Sequence, residues 1–102
     1  MNIQERVDLS ELFFEYGSLL TEKQHMMIEL YCLMDLSLNE ISEQTGISRQ
    51  GVRDHISHGK ASLENYEQKL GVVKFKRKLA EAVYSDVDSK DAINRIRNLL
   101  EE

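Results

Sequence analysis

Residues 36–56 read LSLNEISEQTGISRQGVRDHI, and this stretch decides the fold that the sequence predicts. Ser37 precedes Glu40 by three residues, the spacing at which a serine N-cap and a glutamate bond each other's backbone amides at a helix start. Gly46 is expected to end this short helix, because glycine readily adopts the left-handed conformation of a tight helix-to-helix turn. Ser48 then caps the next helix, which is the fourth predicted helix of the chain. The stretch therefore predicts a helix-turn-helix.

Apolar side chains give these two helices a common core. Ser42 is small at the point where the helices are expected to cross. Beyond the motif, apolar positions recur at alternating steps of four and three residues, which is a heptad pattern. The pattern predicts one long fourth helix that ends at Gly71. The core residues of the motif are Leu38, Ile41, Ile47, Val52 and Ile56, and the seam continues through Gly59, Leu63, Tyr66 and Leu70.

Gly59 lies within this seam and permits two interpretations. It either lets a neighbouring helix approach closely, or it is a weak point or kink, since glycine lowers helix propensity by about 1 kcal/mol. The partner expected for the seam is the fifth helix. That helix has an apolar face of Val72, Phe75, Leu79, Ala82 and Val83.

The N-terminal part of the chain predicts two amphipathic helices. The first should end near Gly17, and the second should begin at the N-cap Thr21, with Gln24 in the capping-box position, and break at Asp35. A last helix follows a polar break at residues 85–89 and is capped by Asp88 or Ser89. The inward positions are Leu9, Leu12, Phe13, Tyr16, Leu19 and Leu20 in the first helix, Met27, Leu30, Tyr31 and Met34 in the second, and Ala92, Ile93, Ile96, Leu99 and Leu100 in the last.

Composition restricts the class of protein. The chain has 102 residues and no proline, so helices can run uninterrupted and one modest core can form. This predicts a single domain over residues 1–102, with a helix-turn-helix core at 21–70 and a C-terminal helical extension. The longest apolar stretch, residues 26–34, is interrupted by Glu29 and is far shorter than the roughly 20 residues of a membrane span.

The N-terminus and the cysteine content indicate the compartment. Residues 1–11 carry acidic side chains where a signal peptide would carry basic ones followed by an apolar run. Cys32 is the one cysteine and lies in an apolar helical pattern, which favours a buried, inert thiol in a reducing environment. We therefore expect a cytoplasmic protein that is not associated with a membrane.

Charge is distributed unevenly along the chain. Residues 1–45 hold two basic residues against nine acidic ones, whereas residues 46–78 hold eight basic residues against three acidic ones. The overall net charge of −5 argues against indiscriminate binding of nucleic acid, which needs clustered cations. The distribution nevertheless predicts one basic side. The alternative is two ordinary solvated helix faces.

The first turns of the fourth helix carry the candidate binding residues. Arginine can pair bidentately with guanine and glutamine with adenine, so Arg49, Gln50 and Arg53 are suited to reading base edges in a major groove. Asp54 works against phosphate contact. Ser48, with the free amides of the helix start, could hold a phosphate. The other candidate phosphate contacts are Lys60, Lys74, Lys76, Arg77 and Lys78.

The segment LTEKQHMMIELYCLMDLSLNEISEQTGISRQGVRDHI resembles region 4 of bacterial sigma factors, where a helix-turn-helix reads promoter DNA. With LSELFFEYGSLLT before it and ASLENYEQKLG after it, nearly the whole chain is similar to the small YlxM-like helix-turn-helix proteins. This resemblance implies an all-α fold of five to six helices, of the winged-helix type without a wing, in which the long fourth helix packs on the C-terminal helices. It also implies a regulatory role in the signal recognition particle pathway, with which that family is associated through neighbouring genes.

Gly51 departs from the expected pattern, because alanine or a longer residue is usual at the third position of a recognition helix. Glycine offers no side chain to a base, which leaves Arg49, Gln50 and Arg53 as the contacts carried over. His55 and His58 share a helix face, but a metal site needs a third ligand, so a solvated pair is the favoured interpretation.

Two functions remain open. The first is a DNA-binding regulator, and the second is an adaptor that docks on the GTPase or the RNA of the signal recognition particle without binding DNA. No phosphate loop, nucleophile elbow or paired carboxylates occur, so we expect neither an enzyme nor a cofactor. Apolar faces on the fourth and sixth helices predict a homodimer.

Overall fold

A computed structural model describes residues 1–84 and 89–101. Within these ranges the chain is all-α and no residue lies in a β-strand. Backbone contacts group the chain into two compact units, Met1–Lys69 and Leu70–Glu102. The division of residues 1–102 into one domain with an extension stays a prediction. The six helices are α1 (Ile3–Tyr16), α2 (Glu22–Ile28), α3 (Leu38–Thr45), α4 (Arg49–Leu70), α5 (Val72–Tyr84) and α6 (Ser89–Glu101).

Helix α1 begins after an asparagine cap. The side chain of Asn2 accepts a hydrogen bond from the Glu5 amide at 2.8 Å, which satisfies one of the unpaired amides of a helix start. The helix ends at Tyr16, which confirms the predicted end near Gly17. Leu19 was predicted to point inward and is exposed. It lies in a 3₁₀ turn, Gly17–Leu19, whose tighter winding does not continue the apolar stripe of α1.

Helix α2 begins as predicted and then changes its winding. Thr21 and Gln24 form the reciprocal bonds of a capping box. After Ile28 the helix continues as one π-helical turn, Glu29–Leu33, whose extra residue rotates the following side chains relative to the apolar stripe. Met34, predicted to be internal, is therefore exposed, and Ile28, outside the predicted stripe, is fully buried.

The helical segment breaks at Asp35, as predicted. Asp35 has a left-handed backbone with φ of 55°, and the Leu36 amide bonds the Leu30 carbonyl at 3.1 Å across the turn. Arg6 of α1 stabilises this turn, because its guanidinium donates to Asp35 Oδ1 at 2.8 Å and to the Tyr31 carbonyl at 2.9 Å. This cation links the start of α1 to the end of the π turn.

Helices α3 and α4 confirm the helix-turn-helix geometry. Ser37 and Glu40 form the predicted capping box, and Gly46 ends α3 with a left-handed φ of 76°. Ile41 and Val52 are fully buried between the elements of the first unit. The Ser37 cap, the Gly46 turn and the start of α4 all lie where the sequence predicted them. The first turns of α4 therefore follow the turn of the motif as expected.

The α4 seam packs on α2, and Gly59 makes this packing possible. A Cβ atom at Gly59 would lie 2.6 Å from Ile28 Cδ1 and 3.4 Å from Gln24 Cβ. Of the two interpretations of Gly59, the close approach of a neighbouring helix is therefore confirmed, and that helix is α2. The packing of the long fourth helix on the C-terminal helices stays a prediction.

The distal half of α4 is held by two tyrosines. Tyr16 donates its hydroxyl to Glu67 Oε1 at 2.6 Å, and Tyr66 donates to the Leu19 carbonyl at 3.3 Å. Leu70, predicted as the last seam residue, is exposed. It directly precedes Gly71, whose left-handed φ of 65° ends the helix as expected.

The second unit contains α5 and α6, which contact each other. Ala82 is buried as predicted, but Val83 is exposed and Val73, nine residues before Ala82, is buried instead. On α6, Ile93 and Leu100 are exposed although they were predicted to be internal. Packing between two helices covers one stripe of each, so wider apolar faces remain partly accessible. The predicted cap Asp88 and the Ala92 side chain lie outside the described residues, as does the polar break except for Ser89, which begins α6.

Across residues 1–84 and 89–101, no helix combines the length and the apolar character that crossing a bilayer requires.

Candidate nucleic-acid interface

The turn of the motif is fixed by side-chain hydrogen bonds. Ser42 donates its hydroxyl to the Ile47 carbonyl at 2.6 Å, and Thr45 donates to the Ile41 carbonyl at 2.7 Å while accepting from the Ile47 amide at 3.3 Å. Sequence reasoning assigned Ser42 only a small volume and missed this bond. The hydroxyl groups at both positions were the available signal, because serine and threonine often bond the backbone near turns.

Ser48 holds the start of α4. Its Oγ accepts from the Gly51 amide at 3.1 Å, and its carbonyl accepts from the Val52 amide at 2.9 Å. The oxygen is therefore already an acceptor within its own helix, while its hydroxyl hydrogen can still be donated to a phosphate. Ser48 is consequently both the cap and the predicted phosphate contact at this end of the helix.

Gly51 is explained by the same cap. A Cβ atom here would lie 2.9 Å from Ile47 Cγ2 and 3.1 Å from Ser48 Oγ. The residue before the cap and the cap itself thus occupy the space that a larger residue would need. The departure from the expected pattern is a packing feature, and it leaves the neighbouring polar residues on the surface.

The three predicted base contacts lie together in the first two turns of α4. Arg49, Gln50 and Arg53 are all exposed. Arg49 and Arg53 are four residues apart and so project from the same side of the helix, whereas Gln50 lies on the adjacent side. The arrangement presents two guanidinium groups and one amide beside the turn that opens the helix.

Gln50 is bonded to Asp54. Its amide nitrogen donates to Asp54 Oδ1 at 2.9 Å, one helical turn further along the exposed face. The sequence analysis treated Asp54 only as an obstacle to phosphate binding. The four-residue spacing of a glutamine and an aspartate was the signal for this bond.

The predicted phosphate contacts fall into two groups. Ser48 and Lys60 lie on the first unit, and Lys60 approaches Glu64 with 3.8 Å between Nζ and Oε1. The other group lies on α5 in the second unit, where four cations are exposed within two helical turns. These are Lys74, Lys76, Arg77 and Lys78.

One acidic residue, Glu40, belongs to the capping box at the start of α3. The pKa of Glu40 is lowered, because its carboxylate accepts a hydrogen bond from the Ser37 backbone and also interacts with the serine side chain. Glu40 therefore stays ionised at the start of α3 and makes this edge of the motif anionic. Two cations, Arg49 and Arg53, lie instead at the start of α4.

Two histidines, His55 and His58, lie on α4. His55 is half-buried and His58 is exposed. In the described parts of the chain, histidine, cysteine, aspartate and glutamate side chains do not form a group of three that could hold a metal ion.

Sequence similarity to known proteins extends over most of the chain. A UPF0122 protein of Clostridium kluyveri is 41% identical over 96 residues, covering 94% of this chain and 86% of that protein. A UPF0122 protein of Halalkalibacterium halodurans is 41% identical over 98 residues, covering 89% and 90%. A UPF0122 protein of Thermoanaerobacter sp. (strain X514) is 54% identical over 63 residues, or 62% of this chain, and that match spans about half of the relative, 54% of its length.

A family model agrees with these relatives. The family described as "Putative helix-turn-helix protein, YlxM / p13 like" matches residues 3–102, and therefore includes the caps, the turn and the exposed start of α4. With its sequence signals, its α3–α4 geometry and these similarities, the chain belongs to the YlxM/p13-like helix-turn-helix family, UPF0122.

Proposed function

We propose that this protein is a DNA-binding regulatory protein that inserts the start of α4 into the major groove. The observation that carries the proposal is the exposure of Arg49, Gln50 and Arg53 on the first turns of α4, the capped second helix of the helix-turn-helix. A helix of this kind fits the major groove, and its N-terminal residues are the ones that reach base edges. Membership of a helix-turn-helix family supports the same function.

Each side chain has a specific part in this proposal. Arg49 and Arg53 read guanine through bidentate hydrogen bonds, and Gln50 reads adenine, at about 1–3 kcal/mol of discrimination for each good pair. The phosphate contacts set the register and supply affinity that depends on salt. They are Ser48, Lys60, Lys74, Lys76, Arg77 and Lys78.

The biological setting is proposed from the family resemblance. The YlxM-like proteins are associated with the signal recognition particle pathway, so we place the regulatory role in that pathway and in the cytoplasm. The mechanism contains no catalytic step and no cofactor, because binding and release of DNA are sufficient for regulation.

Arg53→Ala tests the DNA assignment directly. Fluorescence anisotropy of the full chain with a pool of random duplexes, across a salt series, measures affinity and its salt dependence. Loss of the guanidinium should weaken binding to duplexes that contain the preferred guanine by roughly fivefold or more. Arg53→Lys should keep the charge and the salt slope but lose base discrimination, because lysine lacks the planar fork of arginine.

Lys69→Ala is the matched control. Lys69 is an exposed cation at the opposite end of the same helix, about 24 Å away along the axis. Its removal changes the net charge equally but should leave affinity nearly unchanged. Equal effects of Arg53→Ala and Lys69→Ala, or an unchanged affinity and salt slope in Arg53→Ala, would contradict the assignment of α4 to DNA.

An adaptor that docks on the GTPase or the RNA of the signal recognition particle is a second candidate function. An apolar stripe on α1 favours it, because Ile3, Val7 and Phe14 share one side of the helix and Ile3 and Phe14 are 83% and 88% exposed. The acidic balance of residues 1–45 also disfavours nucleic acid on this side.

Co-purification in low and high salt tests the adaptor function. The wild-type chain is mixed with purified particle GTPase or particle RNA, and Phe14→Asp is compared with Ser18→Asp, which adds the same charge to an exposed position just beyond the helix end. Capture of the GTPase that only Phe14→Asp abolishes would support docking through α1. Recovery of neither component would exclude this function.

A further inference from the structure

The start of α4 holds a pair of side chains that the proposed reading of DNA does not fully use. Gln50 donates its amide nitrogen to Asp54 Oδ1 at 2.9 Å, and both residues are exposed. An exposed glutamine normally samples several rotamers and either orientation of its amide. A partner one helical turn away restricts that freedom.

Asp54 fixes which end of the amide is available. An ionised carboxylate can only accept hydrogen bonds, so it selects the NH₂ group of Gln50 and leaves the carbonyl oxygen directed elsewhere. The NH₂ group has two hydrogens, and the bond to Asp54 uses one of them. Only the hydrogen on the oxygen side of the amide lies beside the carbonyl oxygen, so the positioning role assigns the opposite hydrogen to Asp54 and leaves an adjacent donor and acceptor.

That remaining pair matches one base. Adenine presents N7 as an acceptor and its N6 amino group as a donor in the major groove, which is the complement of an amide N–H beside a carbonyl oxygen. A flipped amide at the same backbone position would place acceptor against acceptor. We propose that Asp54 is a positioning residue that holds the Gln50 amide in the orientation that reads adenine.

This inference rests on the proposed function, because it needs α4 in a major groove. It also explains a residue that otherwise only opposes binding. The negative charge of Asp54 lowers affinity for any duplex through repulsion of phosphates, whatever the sequence. Base discrimination and overall affinity should therefore respond differently when Asp54 is replaced.

The experiment uses the full chain and a duplex enriched by the wild-type protein from a randomised pool. Each adenine of that duplex is replaced in turn by 7-deazaadenine, which lacks the N7 acceptor, and affinities are compared by anisotropy in one buffer. At the adenine contacted by Gln50, the replacement should weaken wild-type binding by roughly fivefold or more. In Gln50→Ala this preference should disappear.

Two substitutions of Asp54 separate positioning from charge. Both Asp54→Ala and Asp54→Asn should bind every duplex more tightly, because both remove the negative charge. Asp54→Ala should in addition reduce the preference for adenine over 7-deazaadenine by about twofold, the scale of one exposed bond between residues four apart. Asp54→Asn should reduce the preference less than Asp54→Ala, because the asparagine carbonyl still accepts from Gln50, although its NH₂ group also permits the flipped amide. In a Gln50→Ala background, Asp54→Ala should leave the preference unchanged.

Each opposite result has a distinct meaning. A full adenine preference in Asp54→Ala, an equal loss in Asp54→Asn, or enriched duplexes without an adenine that depends on Gln50 would overturn the positioning role and leave DNA binding intact. Absence of any binding of the wild-type chain to the pool would overturn the proposed function itself, and the inference with it.

Discussion

At the scale of single residues, Cys32 shows how burial controls chemistry. Desolvation raises the pKa of its thiol, and a hydrogen bond with Ser10 and the charge of Arg6 lower it only in part. The sequence predicted a buried thiol, and the structure shows a half-buried one. Its inertness therefore depends on its protonation as well as on its limited access. Because the thiolate is the reactive form, we expect slow reaction with a disulfide reagent at pH 7 and a steep increase above pH 9.

The same shift determines a pH dependence of stability. A folded pKa above the unfolded value means that the protonated thiol stabilises the fold, fully below the unfolded pKa of about 8.5 and progressively less as pH rises through the folded pKa. Urea unfolding of the wild type and of Cys32→Ala should therefore converge or cross as pH rises from 7 to 10. A constant difference between the two free energies of unfolding over this range would contradict a raised thiol pKa.

Ser48 combines two roles that substitutions can separate. Ser48→Ala should lower the free energy of unfolding by about 1 kcal/mol, because the Gly51 amide loses its cap. Ser48→Asp should retain the cap, since aspartate is an equally good N-cap residue, but its charge should repel a phosphate. Urea unfolding and DNA anisotropy of the two variants check this. Equal DNA affinity of wild type and Ser48→Asp would exclude Ser48 as a phosphate contact.

At the scale of secondary-structure elements, α2 and α4 approach closely at Gly59. Gly59→Ala adds a Cβ atom 2.6 Å from Ile28 Cδ1, and Ile28 is fully buried. The gain in helix propensity is about 1 kcal/mol, whereas overpacking a dense core typically costs 1–3 kcal/mol. We expect a net loss of up to about 2 kcal/mol in urea unfolding.

A double-mutant cycle isolates the steric cause. Ile28→Val removes the atom that the new Cβ would meet and by itself should cost about 1 kcal/mol. In the double variant the two losses should not add, because each substitution compensates for the other. Ser57→Ala, at an exposed position of the same helix, serves as the control for propensity. Additive losses of stability would show that a clash with Ile28 is not the reason why Gly59→Ala is less stable than the wild type.

Local sequence signals predicted where helices begin and end. Long-range packing determined the π turn and which apolar side chains are buried. Thr21, Ser37 and Gly46 bond their own neighbours, so the sequence around each was sufficient to predict a helix end. The π turn after Ile28 has no comparable local sequence pattern. It is contacted by residues distant in sequence, such as Arg6, which donates to the Tyr31 carbonyl. For the same reason the exposure of Met34 could not be read from the spacing of apolar residues.

In the candidate site, too, the sequence predicted some features and left others undetermined. The exposure of Arg49, Gln50 and Arg53 followed from their places opposite the apolar seam, and the structure agrees. The bond between Gln50 and Asp54 depends on rotamers, and the spacing only permitted it. Which bases these residues contact is a property of a complex, so neither periodicity nor the free fold determines it.

At the scale of the whole molecule, self-association is the remaining prediction. One of its two original reasons is weaker, since the α4 seam is largely buried within the first unit and only Leu70 is exposed. The other reason stands, because Ile93 and Leu100 are 55% and 70% exposed and, seven residues apart, share one side of α6. Two copies that pair these faces would remove the apolar surface from water, at about 25 cal/mol for each Å² buried.

We therefore expect a homodimer through α6. Light scattering over a concentration series should give twice the chain mass of 11.9 kDa for the wild type. Leu100→Lys should shift the mass toward that of one chain, because it places a charge in the shared apolar face. Asn94→Lys adds the same charge to an exposed position on another side of α6 and should leave the dimer intact. A single-chain mass for the wild type at every concentration would exclude the dimer, and equal dissociation by both substitutions would place the interface outside this face.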